Sequence, residues 1–216
     1  ELGPGDGSFI KNFLKVSKCF PEFDKAKNIY LFEKSKLLRD IQKNNIKNNE
    51  VKWVDNFQKI KNGPVFFFGN EFFDAIPIKQ FKRQKKKLLE KYFQIQKDFT
   101  IRERFRNARK IDVKSIDSYK TLKNLKFIEF PKKGFYQLKK MIRKILNLNG
   151  CILLIDYGYL RPNNQDTLQS VLKHKKNYIL SNLGKADVTS QVNFTLLSEF
   201  FKKNKLSVKN ITTQKE

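Results

Sequence analysis

Glu1-Leu2-Gly3-Pro4-Gly5-Asp6-Gly7-Ser8 is the stretch whose reading decides the fold. Three glycines alternate with other residues directly behind an acid. Glycine has no Cβ, so such a turn takes positive φ and lets a ligand lie against bare backbone. A helical apolar pattern follows at Phe9, Ile10, Phe13, Leu14 and Val16. A glycine turn that feeds a helix N-terminus suits a nucleotide-like ligand. The spacing is G-x-G-x-G, whereas a dinucleotide site has G-x-G-x-x-G. With Glu1 in front, it points to S-adenosylmethionine rather than NAD. A plain surface turn is the alternative reading of the same residues.

Downstream, residues 9–18 read as an amphipathic helix that Pro21 and its polar neighbours end. Asn28 to Phe32 is a short strand that closes on Glu33. Ser35 can cap a helix with Leu37, Leu38 and Ile41 on one face. Val51 to Val54 alternates as a half-exposed strand and leads to Asp55. Val65-Phe66-Phe67-Phe68 is a continuous apolar run, as for a strand covered on both faces. Leu125 to Phe130 is another strand. A long helix follows, with Phe135, Leu138, Met141, Ile142, Ile145 and Leu146 in register, and Gly150 caps it. Cys151 to Ile155 is a second apolar strand, ending at Asp156-Tyr157-Gly158-Tyr159. Residues 160–186 read as a polar, irregular loop. Asp187-Val188-Thr189 reads as the cap of a helix carrying Phe194, Leu196, Leu197, Phe200 and Phe201, and a strand is expected over 206–212. Strand and helix alternate. The fold class is therefore α/β, with a largely parallel, doubly wound, Rossmann-like sheet and helices on both faces.

The chain has 216 residues and a net charge of +25. That length suits one domain, with an insertion. Residues 79–110 hold thirteen Lys or Arg against Glu90, Asp98 and Glu103, a net of +10. Phe93, Ile95, Phe99 and Ile101 keep a strand alternation inside that charge. This stretch reads as a basic β-hairpin insertion, bounded at 79–125 and near the substrate; a solvated basic surface is the alternative. A basic domain is also the footprint of a nucleic-acid binder. Lys, Asn, Phe and Ile share AT-rich codons, however, so genome composition accounts for much of the excess. No run reaches the roughly 18 apolar residues of a membrane span. Cys19 and Cys151 stand far apart, without metal-ligand spacing, and His174 sits alone in the polar loop.

In a doubly wound sheet the glycine turn after the first strand meets the cofactor, and the acid ending the second strand reaches the ribose hydroxyls. Glu33 has that place. Asp55, after the third strand, could accept from an adenine amino group, or could be a capping or solvated residue. Gly69-Asn70-Glu71-Phe72-Phe73-Asp74 gathers carboxylates and an amide just past a buried strand, where open α/β sheets put their chemistry. The cofactor candidates are Glu1, Gly3, Gly5, Gly7, Glu33, Asp55 and Asn70.

Glu1 to Gly7, Glu33-Lys34-Ser35, Asn70-Glu71-Phe72-Phe73-Asp74-Ala75-Ile76-Pro77, Ile155 to Gly158, Asp166 to Gln169 and Gly184 to Phe194 occur in the order of a known family. Over its whole length the chain resembles the MidA-like S-adenosylmethionine-dependent methyltransferases, which include the mitochondrial protein-arginine methyltransferase of respiratory complex I assembly. Asn193 stands where members usually have Asp, and the insertion lacks their more acidic, Trp-containing character.

The resemblance implies a class I methyltransferase fold, S-adenosylmethionine as donor and a protein arginine as acceptor. It also implies a mitochondrial matrix location for a eukaryotic chain and a cytoplasmic one for a bacterial chain. An arginine acceptor is cationic and planar with five donors, so carboxylates must orient it. Glu71 and Asp74 are the expected guanidinium binders, with Asp156 beside them as a wall residue along with Tyr157. An N-cap is the alternative role for Asp74. A nucleic-acid methyltransferase or binder and a non-catalytic assembly factor are the competing functions. The strand before Glu1 and a C-terminal strand are expected to lie outside this sequence, which would leave the fragment unstable on its own.

Overall fold

The computed structural model describes residues 1–85 and 87–215; Lys86, inside the basic stretch, and Glu216 lie outside the described residues. The elements in order are α1 (Ser8–Ser17), α2 (Pro21–Ala26), β1 (Ile29–Phe32), α3 (Lys36–Ile46), β2 (Val51–Val54) and β3 (Val65–Asn70). Then come β4 (Lys79–Gln84), β5 (Lys87–Ile95), β6 (Ile101–Asn107), α4 (Lys110–Asp117), β7 (Phe127–Phe130) and α5 (Lys132–Leu148). The chain closes with β8 (Gly150–Ile155), β9 (Gly158–Tyr159), β10 (Gln169–Leu172), β11 (Lys175–Asn177), β12 (Asp187–Thr189), β13 (Val192–Asn193) and α6 (Phe194–Lys203). It divides into two compact units. The first is Glu1–Phe72 with Lys140–Ile155; the second is Phe73–Lys139 with the residues from Asp156 onward.

The first unit is a parallel sheet. β1 pairs with β2 from Ile29↔Val51 to Phe32↔Val54, and β3 pairs with β8 from Val65↔Gly150 to Asn70↔Ile155. Leu2 bridges Phe32 on one side and Gly69 on the other, both in the parallel sense. Leu2 N donates to Phe68 O at 2.8 Å, Gly3 N to Phe32 O at 3.0 Å, and Phe32 N to Glu1 O at 2.9 Å. The spatial order is β2, β1, the Glu1–Gly3 segment, β3, β8. The glycine turn therefore leaves the middle of the sheet, as its sequence requires. Ile10 and Leu14 of α1, Ile46 of α3, and Ile29, Leu31 and Val51 of the strands form one buried cluster. Burying each such side chain is worth about 1.5–3 kcal/mol. The Ser35 hydroxyl accepts from Leu38 N at 3.3 Å and starts α3 as its sequence suggests.

The second unit holds a four-stranded antiparallel sheet in the order β6-β5-β4-β7. Its inner rows meet at Phe81↔Ile128 and Phe81↔Glu90. Phe81, Ile128, Leu138, Leu196 and Phe200 are fully buried. Phe135 stacks on Phe200 with ring centroids 4.1 Å apart. Buried Asp112 holds this unit's charges together. Its carboxylate accepts from Lys79 Nζ at 3.0 Å and from Arg109 Nε at 3.2 Å, and it pairs with Lys132. Burial alone would raise its pKa, but the hydrogen bonds from Lys132 and Lys79 outweigh that and bring it down to about 2.

Several local expectations change. α1 ends before Pro21 as expected, but Pro21 also begins a second helix, α2, because its missing N–H costs nothing in a first helical turn. β3 and β8 are not covered on both faces: Phe66 is 59% exposed, and Leu153 and Ile155 are exposed as well. The basic hairpin is present as β5–β6, but as the outer half of the four-stranded sheet. Asn149, with φ 59°, takes the left-handed turn after α5, and Gly150 opens β8. Part of the polar 160–186 stretch pairs as β10 and β11. Asp187–Thr189 is a strand against β10, and Asn193 caps α6 by accepting from Leu196 N at 2.9 Å. Residues 206–212 form no strand.

Candidate functional site

The glycine turn takes the backbone its sequence calls for. Gly3, Gly5 and Gly7 have φ of 59°, 56° and 84°, all left-handed. A Cβ on Gly3 would meet the Phe72 ring at 3.1 Å, and one on Gly7 would meet Ile46 at 3.0 Å. A Cβ on Gly5 would meet nothing within 4 Å. Gly3 and Gly7 are therefore required by packing, whereas Gly5 presents bare backbone to open space. Asp6 closes the turn: its carboxylate accepts from Ser8 N at 2.9 Å and Ser8 Oγ at 2.7 Å. The hydroxyl bond, with the N–H bond second, holds the Asp6 carboxyl below its ordinary range.

Glu33 is buried at the end of β1, the neighbouring strand. Its Oε1 accepts from Lys34 N at 2.7 Å and Ser35 N at 2.8 Å. An ionised carboxylate has about four acceptor sites, so these bonds fix the group and leave capacity for a diol. Arg39 of α3 donates to Glu33 O at 2.6 Å and also pairs with Asp55. Asp55 is thus tied to the Glu33 end of the sheet by a guanidinium, an ion pair its strand-end position did not announce. Asn70 ends β3 in an exposed position. Glu1 lies in the central segment, its carbonyl bound to Phe32 N.

Gln42 was not legible. It is fully buried in α3, and its Nε2 donates to Gly5 O at 2.8 Å and, more weakly, to Glu33 Oε2 at 3.4 Å. Its Oε1 accepts from Trp53 Nε1 at 2.8 Å. One side chain therefore touches both the glycine turn and the acid beside it.

The carboxylates expected on the acceptor side fall into two sets. Glu71, exposed in the first unit, has φ 48°, and its N–H bonds to Ile155 O at 2.8 Å. A non-glycine residue held left-handed is strained by about 1–3 kcal/mol, which marks a position fixed by its surroundings. Asp74 and Asp156 belong to the second unit and come together there. Asp156 Oδ2 accepts from Phe73 N at 2.8 Å, and Asp74 O accepts from Ser190 N at 3.1 Å. Burial, with the Asp74 charge adding to it, pushes the Asp156 carboxyl up to about 7, against the pull of the Phe73 N–H. Two close carboxyls cannot both ionise freely, and burial and the Asp74 charge both favour a protonated Asp156.

In the same unit the 166–169 and 184–194 blocks meet each other. Glu129 accepts from Thr167 N at 3.0 Å and from Gln80 Nε2 at 2.9 Å, and Thr167 Oγ1 in turn accepts from Gln191 N at 3.0 Å. Gln80 also donates to Asp166 Oδ1 at 2.6 Å. Glu129 and Gln80 carried no sequence signal of this role. Among the described residues no group of His, Cys, Asp and Glu could hold a metal ion, and no helix is long and apolar enough to cross a membrane. The residues of the first unit fit an adenosyl ligand: the open side of Gly5 is a cradle that a side chain would fill, and Glu33 suits a diol.

Comparison with known proteins agrees with that chemistry. The family described as S-adenosyl-L-methionine-dependent methyltransferases matches residues 1–212. A Caenorhabditis elegans protein named protein arginine methyltransferase NDUFAF7 homolog, mitochondrial, is 26% identical over 94% of this chain and 52% of its own. The Xenopus tropicalis protein arginine methyltransferase NDUFAF7, mitochondrial, is 26% identical over 91% of this chain and 51% of its own. The chain thus spans about half the length of these curated relatives. A crystal structure of a COG1565 superfamily member from Burkholderia thailandensis, bound to S-adenosyl-homocysteine, superposes with a TM-score of 0.73. It is 19% identical, with 94% of this chain and 54% of that one covered, and shares the fold. With the family matched over nearly its whole length, the chain belongs to the MidA-like S-adenosyl-L-methionine-dependent methyltransferases.

Proposed function

We propose that this chain binds S-adenosylmethionine on a doubly wound class I sheet and transfers its methyl group to an arginine of a protein. The observation that carries the reading is the left-handed glycine turn at the centre of a parallel sheet, open at Gly5 and flanked by Glu33. Gly3, Gly5, Gly7 and Glu33 would hold the ligand, with Glu1, Asp55 and Asn70 around them. When bound, it supplies an electrophilic methyl group carried on a sulfonium. The methyl acceptor must be held in line, so positioning supplies much of the rate. Glu71 in the first unit and the Asp74–Asp156 pair in the second are each carboxylates suited to binding a guanidinium. Asp156, with a pKa near 7, takes up the proton that the acceptor nitrogen loses. The protein-arginine acceptor is supported by the names of the relatives and by these carboxylates, and a role in complex I assembly rests on the family resemblance alone.

One observation favours a second reading. Arg102, Arg104 and Arg106 alternate along β6, so they share one face at a spacing of ~6.8 Å. All three are exposed, and Arg106 lies over the Tyr92 ring at 5.1 Å. Basic and aromatic groups along an exposed strand suit a nucleic-acid backbone. Incubation with methyl-labelled S-adenosylmethionine and either a protein lysate or its RNA separates the two. Label recovered as methylarginine after acid hydrolysis is the predicted result, lost in Asp74→Asn. Label in RNA alone would replace the protein reading with the second.

A further inference from the structure

We infer that Gln42 is a positioning residue that sets the glycine turn and Glu33 for ribose recognition, and that its bond to Trp53 makes that tryptophan a reporter of the bound state. The inference rests on the cofactor reading above. Gln42 is a polar side chain with no exposed surface, on a helix face otherwise apolar at Ile46. Burying an amide without partners costs several kcal/mol, so its bonds define the site. The amide orientation is forced by chemistry: the indole N–H of Trp53 only donates and the Gly5 carbonyl only accepts. Oε1 must therefore face Trp53, and Nε2 must face Gly5 O and Glu33 Oε2.

The consequence is specific. Gly5 is the turn residue with an open side, and its carbonyl is anchored from behind by Gln42. Glu33 Oε1 is fixed by two backbone N–H groups, while Oε2 has Gln42 as its neighbour. Without the Nε2 donor, the turn loses its tether and the carboxylate loses the contact that fixes its plane. Asn45 adds a parallel bond from α3 to Asp6 O at 3.0 Å, so α3 grips the turn at two successive points. Trp53 is the sole tryptophan, which makes its emission a clean signal.

The test uses the chain as it stands, with S-adenosylhomocysteine and its 2′,3′-dideoxyribose analogue as probes. Wild type should bind the analogue at least about tenfold more weakly, because a charged acceptor loses its diol. Its Trp53 emission should shift on saturation with S-adenosylhomocysteine. In Gln42→Met the two probes should bind within a few-fold of each other and the emission shift should vanish. Gln42→Glu keeps the acceptor for Trp53 and loses both donors, and it should show the same collapse of discrimination. Trp53→Phe should weaken discrimination less than either. A folded Gln42 variant that keeps the wild-type ratio overturns the inference while leaving the cofactor reading intact. Absence of binding by wild type overturns both, so the two failures are told apart.

Discussion

Gly5 and Gly7 do different things in one turn. Gly7 is enclosed, since an added Cβ would press on Ile46 at 3.0 Å, while Gly5 faces open space. Gly7→Ala should therefore lower the melting temperature, and Gly5→Ala should leave the fold with a strain of about 1–2 kcal/mol and weaken cofactor binding. Thermal melts alongside S-adenosylhomocysteine titrations separate the two effects. The three glycines and Glu33 were legible because their residue types are demanded by the places they hold at strand ends. Gln42 was not, because a glutamine on an amphipathic helix looks locally like any solvated residue. Nor was the Asp156 contact, which joins residues 83 apart in sequence. Its chemistry gives a pH prediction. The folded pKa of about 7 lies above the ordinary carboxyl value of 3.8, so the folded state binds this proton more tightly. Stability should fall as pH rises from about 4 to 7 and level off above, and Asp156→Asn should remove that slope. Methyl transfer should instead rise through pH 7, as the proton acceptor ionises. A variant that keeps the wild-type slope in melts from pH 4 to 8 would show that Asp156 is not the group responsible.

At the scale of elements, the second unit rests on two pieces whose roles differ. Phe200 of α6 fills the core against Phe135, and Phe200→Ala should cost about 3–5 kcal/mol in denaturant unfolding. Asp112 ties β4, α4 and the start of α5 through Lys79, Arg109 and Lys132. Its folded pKa of about 2 lies below 3.8, so its contribution is present above pH 4 and lost as pH falls towards 2. Asp112→Asn should flatten that acid limb of the stability curve. Helix α5 and strands β1 and β2 could be read from periodicity, because their apolar spacing matches a helix or a pleat over enough residues, whereas α3 forms where expected but turns Gln42 and Ile46 inward and leaves Leu37 and Ile41 exposed. β10–β12 could not. These strands are three or four residues long and polar, and they exist through pairing with one another rather than through an apolar face. β3 and β8 are less buried than their apolar runs suggest for a related reason: an apolar run shows what could be covered, and Phe66 lies on a face left exposed.

At the scale of the molecule, a net charge of +25 sets how the chain meets any partner. Its arginine stripe on β6 should give any RNA affinity a steep salt dependence. Replacing Arg102, Arg104 and Arg106 with Ala should then flatten the log–log slope by about 2, at roughly 0.7 per phosphate contact on a single strand. Methyl incorporation into protein should be insensitive to that change if the acceptor is recognised by Glu71, Asp74 and Asp156. The parallel sense of the first unit's sheet was legible, since alternating strands and helices admit few topologies, but the antiparallel sheet of the second unit was not. Whether the Glu1–Ser8 turn cradles the cofactor is decided by calorimetry with S-adenosylhomocysteine on the 216-residue chain. The expected result is saturable one-to-one binding that Gly5→Val abolishes while the circular dichroism spectrum stays unchanged. Wild-type affinity in a folded Gly5→Val variant, or no binding by the wild-type chain, would contradict it.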